Sequence, residues 1–272
     1  MNHPMPSNDS PLGAPRENRL IAQFPPTEFA RIEPVLKPIY LRIGDVLYES
    51  GAPLEFAYFP TTAIVSMVHV LMDGASAEIA IVGNDGVVGV ALFLGGNTMP
   101  RRAVVKSAGW AYRVPRAVIQ REFALGGSLQ MLILRFTQAA MTQIAQTAAC
   151  NRHHSIAQQL CRLLLLSLDR IDSSQLAMTQ ESIANMLGVR REGVTEAAGR
   201  LQSCGLIQYS RGHIMVLDRN GLEAQACECY GVIARESERL LSATPATIRV
   251  RAPWPALVHR ARVVDEGLSA HC

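Results

Sequence analysis

The sequence predicts an α+β chain: an antiparallel β-sandwich or jelly roll first, one long helix next, and a compact helical domain with a small β-wing last. Three observations predict it. Between residues 20 and 114 short β-favouring runs alternate with turn residues. Residues 128–150, "SLQMLILRFTQAAMTQIAQTAAC", contain neither Gly nor Pro. Residues 179–201 carry two stretches of helical apolar spacing on either side of Gly188.

In the first part the strand-like runs are "PIYLRIGDVLYESG", "FAYFPTTAIVSMVHVLMDG", "AEIAIVGNDG" and "RRAVVKSAGWAYRVP", each bounded by Gly, Pro or Asp. Their spacing suits a closed or double antiparallel sheet. "PRAVIQREFA" then suits a short helix. The 128–150 helix is apolar on several faces, and Leu129, Ile133, Phe136 and Ala140 step 4, 3, 4 along it. That is the spacing of a helix-pairing seam, which assigns the helix to dimerisation. "HSIAQQLCRLLLLSLDRI" (154–171) makes a further helix whose four consecutive leucines imply burial. A last helix is expected from about 219 to 241. The resulting division is a disordered tail over 1–17, a β-rich domain over 18–127, the dimer helix over 128–150, a helical domain with a small β-wing over 151–242, and a tail over 243–272 to which no fold is assigned.

Composition sets limits. The 272 residues are 49% hydrophobic and 18% charged, which suits one large or two ordinary globular domains. The most apolar run, 77–96, is cut by Asn84, Asp85 and several glycines, so no membrane span is expected. The polar, Pro-rich N-terminus does not resemble a secretory signal, and a cytoplasmic location follows. Six cysteines, at 150, 161, 204, 227, 229 and 272, show no disulfide framework and are read as reduced. A net charge of +3 permits a nucleic-acid partner without arguing for one. Such a partner has to be argued from a local motif.

That motif is "MTQESIANMLGVRREGVTEAAGRL". Thr179 and Gln180 open a helix, with the Thr179 hydroxyl as cap and Ile183, Ala184 and Leu187 on its inner face. Gly188 sits where the chain must turn through left-handed backbone angles. A second helix begins near Arg190. At 100° per residue, Val194, Ala197, Ala198 and Leu201 fall on one side, and Arg191, Glu192, Thr195, Glu196 and Gly199 on the other. This is the arrangement of a helix-turn-helix, whose second helix lays its N-terminal polar residues in the major groove of DNA. Arginine there can give two hydrogen bonds to guanine and glutamate can accept from cytosine. "GLIQYSRGHIMVLD" follows as two short strands around Arg211 and Gly212, a wing that sets Arg211 against phosphate.

These residues, together with "RIGDVLYESG" at 42–51, resemble the Crp/Fnr family of bacterial transcription regulators over about residues 20–240. The resemblance implies a cyclic-nucleotide-binding-like jelly roll, a dimer helix and a winged helix-turn-helix. It implies a homodimer on a near-palindromic double-stranded DNA site, with RNA polymerase admitted as a further partner. Matched residue by residue, Arg191 and Glu192 stand at the family's base- or phosphate-contacting pair, with Thr195 and Glu196 one turn on. Glu196 stands where cyclic-AMP-responsive members carry arginine, and Arg190 where they carry a serine cap.

Control by cyclic AMP is not expected. In nucleotide-binding relatives a Gly-Glu pair grips the ribose and a Pro-Arg-Thr/Ser-Ala run grips the phosphate. The matching stretch, "GVALFLGGNTMPRRAVV" (89–105), keeps Arg101 and Ala103 but carries Val90 for the glutamate and Arg102 for the hydroxyl residue. Valine cannot accept from a ribose hydroxyl, and each unpaired buried polar group costs about 1–3 kcal/mol. Arg101 and Arg102 are left as candidates for another small anionic effector.

No cofactor and no metal are expected. Residues 1–149 contain no cysteine for an iron-sulfur cluster. Cys227 and Cys229 would lie about 200° apart around a continuous helix, and so read as packing residues. His153 and His154 are adjacent and point differently, which suits a hinge or a surface. An enzyme is not expected either, because no Gly-rich phosphate loop, Gly-x-Ser-x-Gly or His-Glu-x-x-His occurs. The competing function is a small-molecule or nucleotide sensor that signals through a protein partner.

Overall fold

A computed structural model describes residues 12–242 apart from 75 and 172. Of the expected disordered tail over 1–17, residues 1–11 lie outside the described residues, as does the tail over 243–272; residues 12–17 are ordered instead, held by a 3-10 turn and by Tyr112 Oη, which donates to Gly13 O at 2.7 Å. The chain opens with a 3-10 turn at Pro15–Glu17, then α1 (Arg19–Ala22) and α2 (Pro26–Ile32). These helices correct the expectation of strands from residue 20 onward. Their cause is local: Asn18 Oδ1 accepts from the amides of Leu20 and Ile21, and Pro26 takes a first helical position where no donor is lost. The Asn18 side chain is fully buried, and its amide donates to Pro60 O at 2.8 Å and Gly86 O at 2.9 Å, so every polar atom of the anchor is paired.

Seven strands follow: β1 (Lys37–Leu41), β2 (Val46–Tyr48), β3 (Phe56–Pro60), β4 (Ile64–Val70), β5 (Ser76–Val82), β6 (Arg102–Ser107) and β7 (Gly109–Pro115). They form two antiparallel sheets of order β1-β7-β3 and β2-β6-β4-β5, the expected sandwich. Its core holds Leu41, Phe59, Val65, Val105, Ala111 and Val114, all at most 1% exposed. α3 (Arg116–Ala124) leads into α4 (Gly127–His153), whose 27 residues extend the expected helix at both ends to about 40 Å.

The face assignment of α4 needs correction. Leu129, Ile133 and Phe136 are buried in the chain's own sandwich core, and the Phe136 ring lies so close to Gly86 that a Cβ there would stand 2.0 Å from it. They belong to the monomer. A second stripe steps 3, 4, 3, 4, 3 along the exposed side, through Met131, Leu134, Gln138, Met141, Ala145 and Ala148. Met131 and Met141 are 52% and 65% exposed.

α5 (Ile156–Leu168) starts at Ser155, which exchanges hydrogen bonds with Gln158 in a capping box. β8 (Gln175–Ala177), α6 (Gln180–Leu187), α7 (Arg191–Ser203), β9 (Ile207–Ser210), β10 (His213–Val216), α8 (Arg219–Gln225) and α9 (Glu228–Leu241) complete the described chain. The expected 219–241 helix is therefore two helices, because Ala226 and Cys227 are both extended. A second core, with Leu160, Leu164, Ile183, Val194, Leu201 and Ile214, holds this domain together. α9 turns back along α4, where Gln138 donates to Glu236 at 3.3 Å.

The two halves meet through an apolar cluster of Ile64, Ile81, Leu166 and Ile233 and through polar groups. Arg170 is buried and pairs with Asp85 at 3.0 Å and Gln143 at 3.1 Å, while Arg162 donates to Thr147 at 3.0 Å. Glu78 of β5 is buried and bonded to Ser66 Oγ at 2.5 Å; burial pushes its carboxyl up to about 7 although Lys106, Arg162 and Arg170 pull the other way.

Candidate nucleic-acid interface

The helix-turn-helix is built as its sequence pattern requires. Thr179 Oγ1 accepts from Ser182 N at 3.0 Å and caps α6. Gly188 ends α6 at φ 65° and ψ 35°, a left-handed conformation that favours glycine. Val194, Ala197, Ala198 and Leu201 bury one face of α7 against the second core. Arg190, Arg191, Glu192, Thr195 and Glu196 are exposed on the other.

These exposed residues differ in their freedom. The Thr195 hydroxyl lies 2.8 Å from Gln180 Oε1 and 3.0 Å from Arg191 O, so it ties the start of α6 to the first turn of α7. Glu196 pairs with Arg200 one turn on, at 3.3 Å. Thr179 is spent as a cap. Gln180, Thr179 and Thr195 thus fix the geometry of the motif, and Arg190, Arg191 and Glu192 project from the N-terminal end of α7.

The wing matches the expected hairpin and adds a strand. β9 and β10 pair with Ser210 opposite His213, leaving a two-residue turn of Arg211 (φ 48°) and Gly212 (φ 82°). Positive φ at both central residues is what such tight hairpins demand. Arginine in this region is strained, by an order of 1–3 kcal/mol, and the exposed Arg211 side chain is held beyond the turn. β8 is the third strand, paired to β10 and missed in the sequence because its three residues lie within "SSQLAMT" without a recognisable alternation. The wing turn touches the helix-turn-helix, since a Cβ on Gly212 would meet Thr179 Cγ2 at 3.3 Å. On the far side α6 rests against β5, with a Cβ on Gly188 reaching Ala77 Cβ at 3.8 Å.

The two candidate effector arginines separate. Arg101 lines a cavity of about 40 Å³ between the sandwich, α4 and α9, with Tyr48, Met67, Val90, Phe136 and Leu241. Small-molecule sites usually span about 300–1,000 Å³, so this space is filled by side chains. Arg101 Nε is buried without a hydrogen-bond partner in the described structure. Burial pushes the Tyr48 phenol up, while the Arg101 guanidinium beside it pulls it down. Arg102 turns away to Glu49, its Nη2 3.0 Å from Oε1. Neighbours on an extended segment point to opposite sides, so the pair does not form one anion site. A larger cavity, about 390 Å³, lies between α1, α5 and α9 and is lined by Arg19, Asp169, Arg170 and Tyr230 among others.

The cysteine reading also changes. Among the described residues Cys150, Cys161, Cys227 and Cys229 are buried free thiols. Cys227 is not inside a helix at all: it is the extended residue that caps α9, and this lets its thiol approach Cys150 to 3.5 Å. The expectation that Cys227 and Cys229 diverge around one helix fails for that reason.

Among the described residues no helix is long and apolar enough to cross a membrane. The family model of the cyclic nucleotide-binding domain matches residues 38–124, and that of the Crp-like helix-turn-helix domain matches residues 158–225; together they take in more than half of the chain. No curated protein matches the sequence. Among solved structures the chain is similar to FixK2 from Bradyrhizobium japonicum, at 18% identity and a TM-score of 0.61 over 71% of this chain and 98% of that one. It is similar to TTHB099, a CRP-family transcriptional regulator from Thermus thermophilus, at 20% identity and a TM-score of 0.56 over 76% and 100%. The c-di-GMP-responsive regulator CLP of Xanthomonas campestris aligns at 15% identity and a TM-score of 0.56 over 71% and 99%. At these identities the structures speak for the fold, and the two domain models speak for the lineage. With a cyclic-nucleotide-binding domain, a long helix and a Crp-like DNA-binding domain in that order, the chain belongs to the Crp/Fnr family of transcription regulators.

Proposed function

We propose that this regulator reads a near-palindromic DNA site as a homodimer, in the cytoplasm, and that cyclic AMP does not control it. The observation that carries the reading is the N-terminal end of α7, where Arg190, Arg191 and Glu192 are exposed on a helix whose other face is locked into the core. Arg191 and Glu192 supply the donor and acceptor that distinguish base edges in the major groove. Arg211 on the wing, and the tied Thr179, Gln180 and Thr195, set register on the phosphates. Glu196 reaches bases once it leaves Arg200.

The homodimer rests on the outer stripe of α4. Methionine and leucine at heptad spacing, with alanines toward the C-terminal end, suit close pairing of two copies of this helix. Two recognition helices would then meet half-sites about one helical turn, roughly 34 Å, apart. The exclusion of cyclic AMP is supported by Val90 and by the small cavity around Arg101. A small anion that entered there would meet Arg101, and Arg102 only after its release from Glu49. Control then acts as a population shift between two placements of the DNA-binding domain around α4, one of which keeps α6 against β5.

Base preference measured on the wild type and on Arg191→Ala, Glu192→Ala and Thr195→Ala tests the contact assignment. Loss of preference at separate positions for Arg191 and Glu192, with folding retained, is the expected result. An unchanged preference in all three variants would remove α7 as the reading element.

A further inference from the structure

We propose that Cys150, His154, Cys227 and Cys229 form a closed tetrahedral site for a divalent ion of the zinc class, which clamps α9 to the end of α4. The four ligand atoms lie within 4.8 Å of one another. Cys150 Sγ stands 3.5 Å from Cys227 Sγ, and Cys229 Sγ stands 3.5 Å from His154 Nδ1. A tetrahedron with metal–sulfur bonds of about 2.3 Å has edges of about 3.7 Å, so two opposite edges already have nearly the right length. Closing the remaining ones needs movements of about an ångström.

Each ligand is placed by local structure. Cys150 and His154 are four apart at the end of α4 and therefore share a face, with His154 as the C-terminal cap. Cys227 caps α9 and Cys229 is its second residue, so the chain bends between them and brings both thiols to the same point. His154 presents Nδ1 to the thiols and Nε2 to Glu228 Oε2 at 3.4 Å. That carboxylate is the outer-shell partner that orients a metal-bound imidazole. The three thiols form a buried cluster separate from the apolar cores. Packing alone gives no reason to gather three thiols around a ring nitrogen, where aliphatic side chains would fill the space without polar atoms.

The chemistry selects the ion. Three sulfurs and one imidazole nitrogen are soft to borderline ligands that disfavour magnesium and calcium. Four protein ligands leave no position for substrate, which makes the site structural. Three thiolates around a divalent ion leave one net negative charge. All four ligands fall outside the two matched domain segments, 38–124 and 158–225. The site therefore belongs to the junction between the two matched segments and to α9, which lies beyond them, and does not depend on how α7 meets DNA.

The test uses the full-length protein, reduced and stripped of metal, titrated first with Co²⁺ and then with Zn²⁺. The expected result is one metal per chain by elemental analysis, with intense visible bands and thiolate charge transfer from tetrahedral cobalt, both bleached by zinc. Cys227→Ser should lose the charge-transfer intensity, and Cys161→Ser should keep it. Glu228→Gln, a change on a side chain that is 69% exposed and so spares the fold, should weaken binding by about tenfold or more. Weak octahedral-type cobalt bands, a Cys227→Ser titration identical to wild type, or a Cys150–Cys227 disulfide that persists under reduction with no metal bound would each overturn the proposal.

Discussion

The sandwich and the helix-turn-helix each match a domain model, yet they present their charged residues in opposite ways. In the sandwich Arg101 faces a space of about 40 Å³ bounded in part by Met67, Val90 and Phe136. In the DNA-binding domain Arg190, Arg191 and Glu192 stand clear of the core on a fully supported helix. The fold is kept in both halves, but the charged residues of α7 are exposed while Arg101 faces a small enclosed space. A shared fold thus transmits architecture more faithfully than ligand.

The sharpest way to break the contrast is to reopen the closed half. Phe136→Ala should cost about 3–5 kcal/mol of stability, since the ring fills the space between α4 and Gly86; denaturant unfolding would read it. Calorimetry on the same variant should detect no cyclic AMP binding, because Val90 still offers no acceptor, and binding at micromolar concentration would show that bulk alone closes the site.

Glu78 probes the seam between the halves. Its carboxyl is raised from 4.5 to about 7 by burial. Between those values the folded state holds a proton that the unfolded state has lost, so this group's contribution to stability falls as pH rises through about 7. Unfolding measured from pH 5 to 8 should show that decline, and Glu78→Gln should flatten it. A profile that instead rises over the window would mean that Arg162 and Arg170 keep Glu78 ionised.

Smaller effects belong to the open half. Arg191→Ala should weaken specific binding by about 1–3 kcal/mol and relax one base position, whereas Arg211→Ala should weaken all sequences alike and lower the salt slope by about one. Binding titrations at several salt concentrations separate the two. Thr179→Ala should cost about 1 kcal/mol of stability through the lost cap of α6, visible as a lower Tm. Arg102→Ala, which removes an exposed pair with Glu49, should change stability by less than about 1 kcal/mol.

What could be read in the sequence follows from how local each signal is. The α6–Gly188–α7 unit was legible because cap, apolar spacing and left-handed turn all lie within 23 residues and agree. α4 was legible as a helix, but its 4, 3, 4 stripe could not declare its neighbour: Leu129, Ile133 and Phe136 meet the sandwich, and Met131, Leu134 and Met141 carry the outer stripe. Spacing reports a face and says nothing of what covers it. The α8–α9 break was illegible because Ala226 and Cys227 carry no Gly or Pro, so Cys227 and Cys229 were placed on one helix and their convergence with Cys150 and His154, over 70 residues away, stayed hidden. α1 and α2 were missed for want of apolar periodicity in segments of four and seven residues.

The most direct test of the central claim is selection of binding sites from a random duplex pool by the full-length protein, run without added ligand and again with cyclic AMP. One enriched near-palindrome, the same in both runs and bound by two chains per duplex, is the predicted result. Enrichment that appears only with cyclic AMP, or a non-palindromic site bound by one chain, would contradict it.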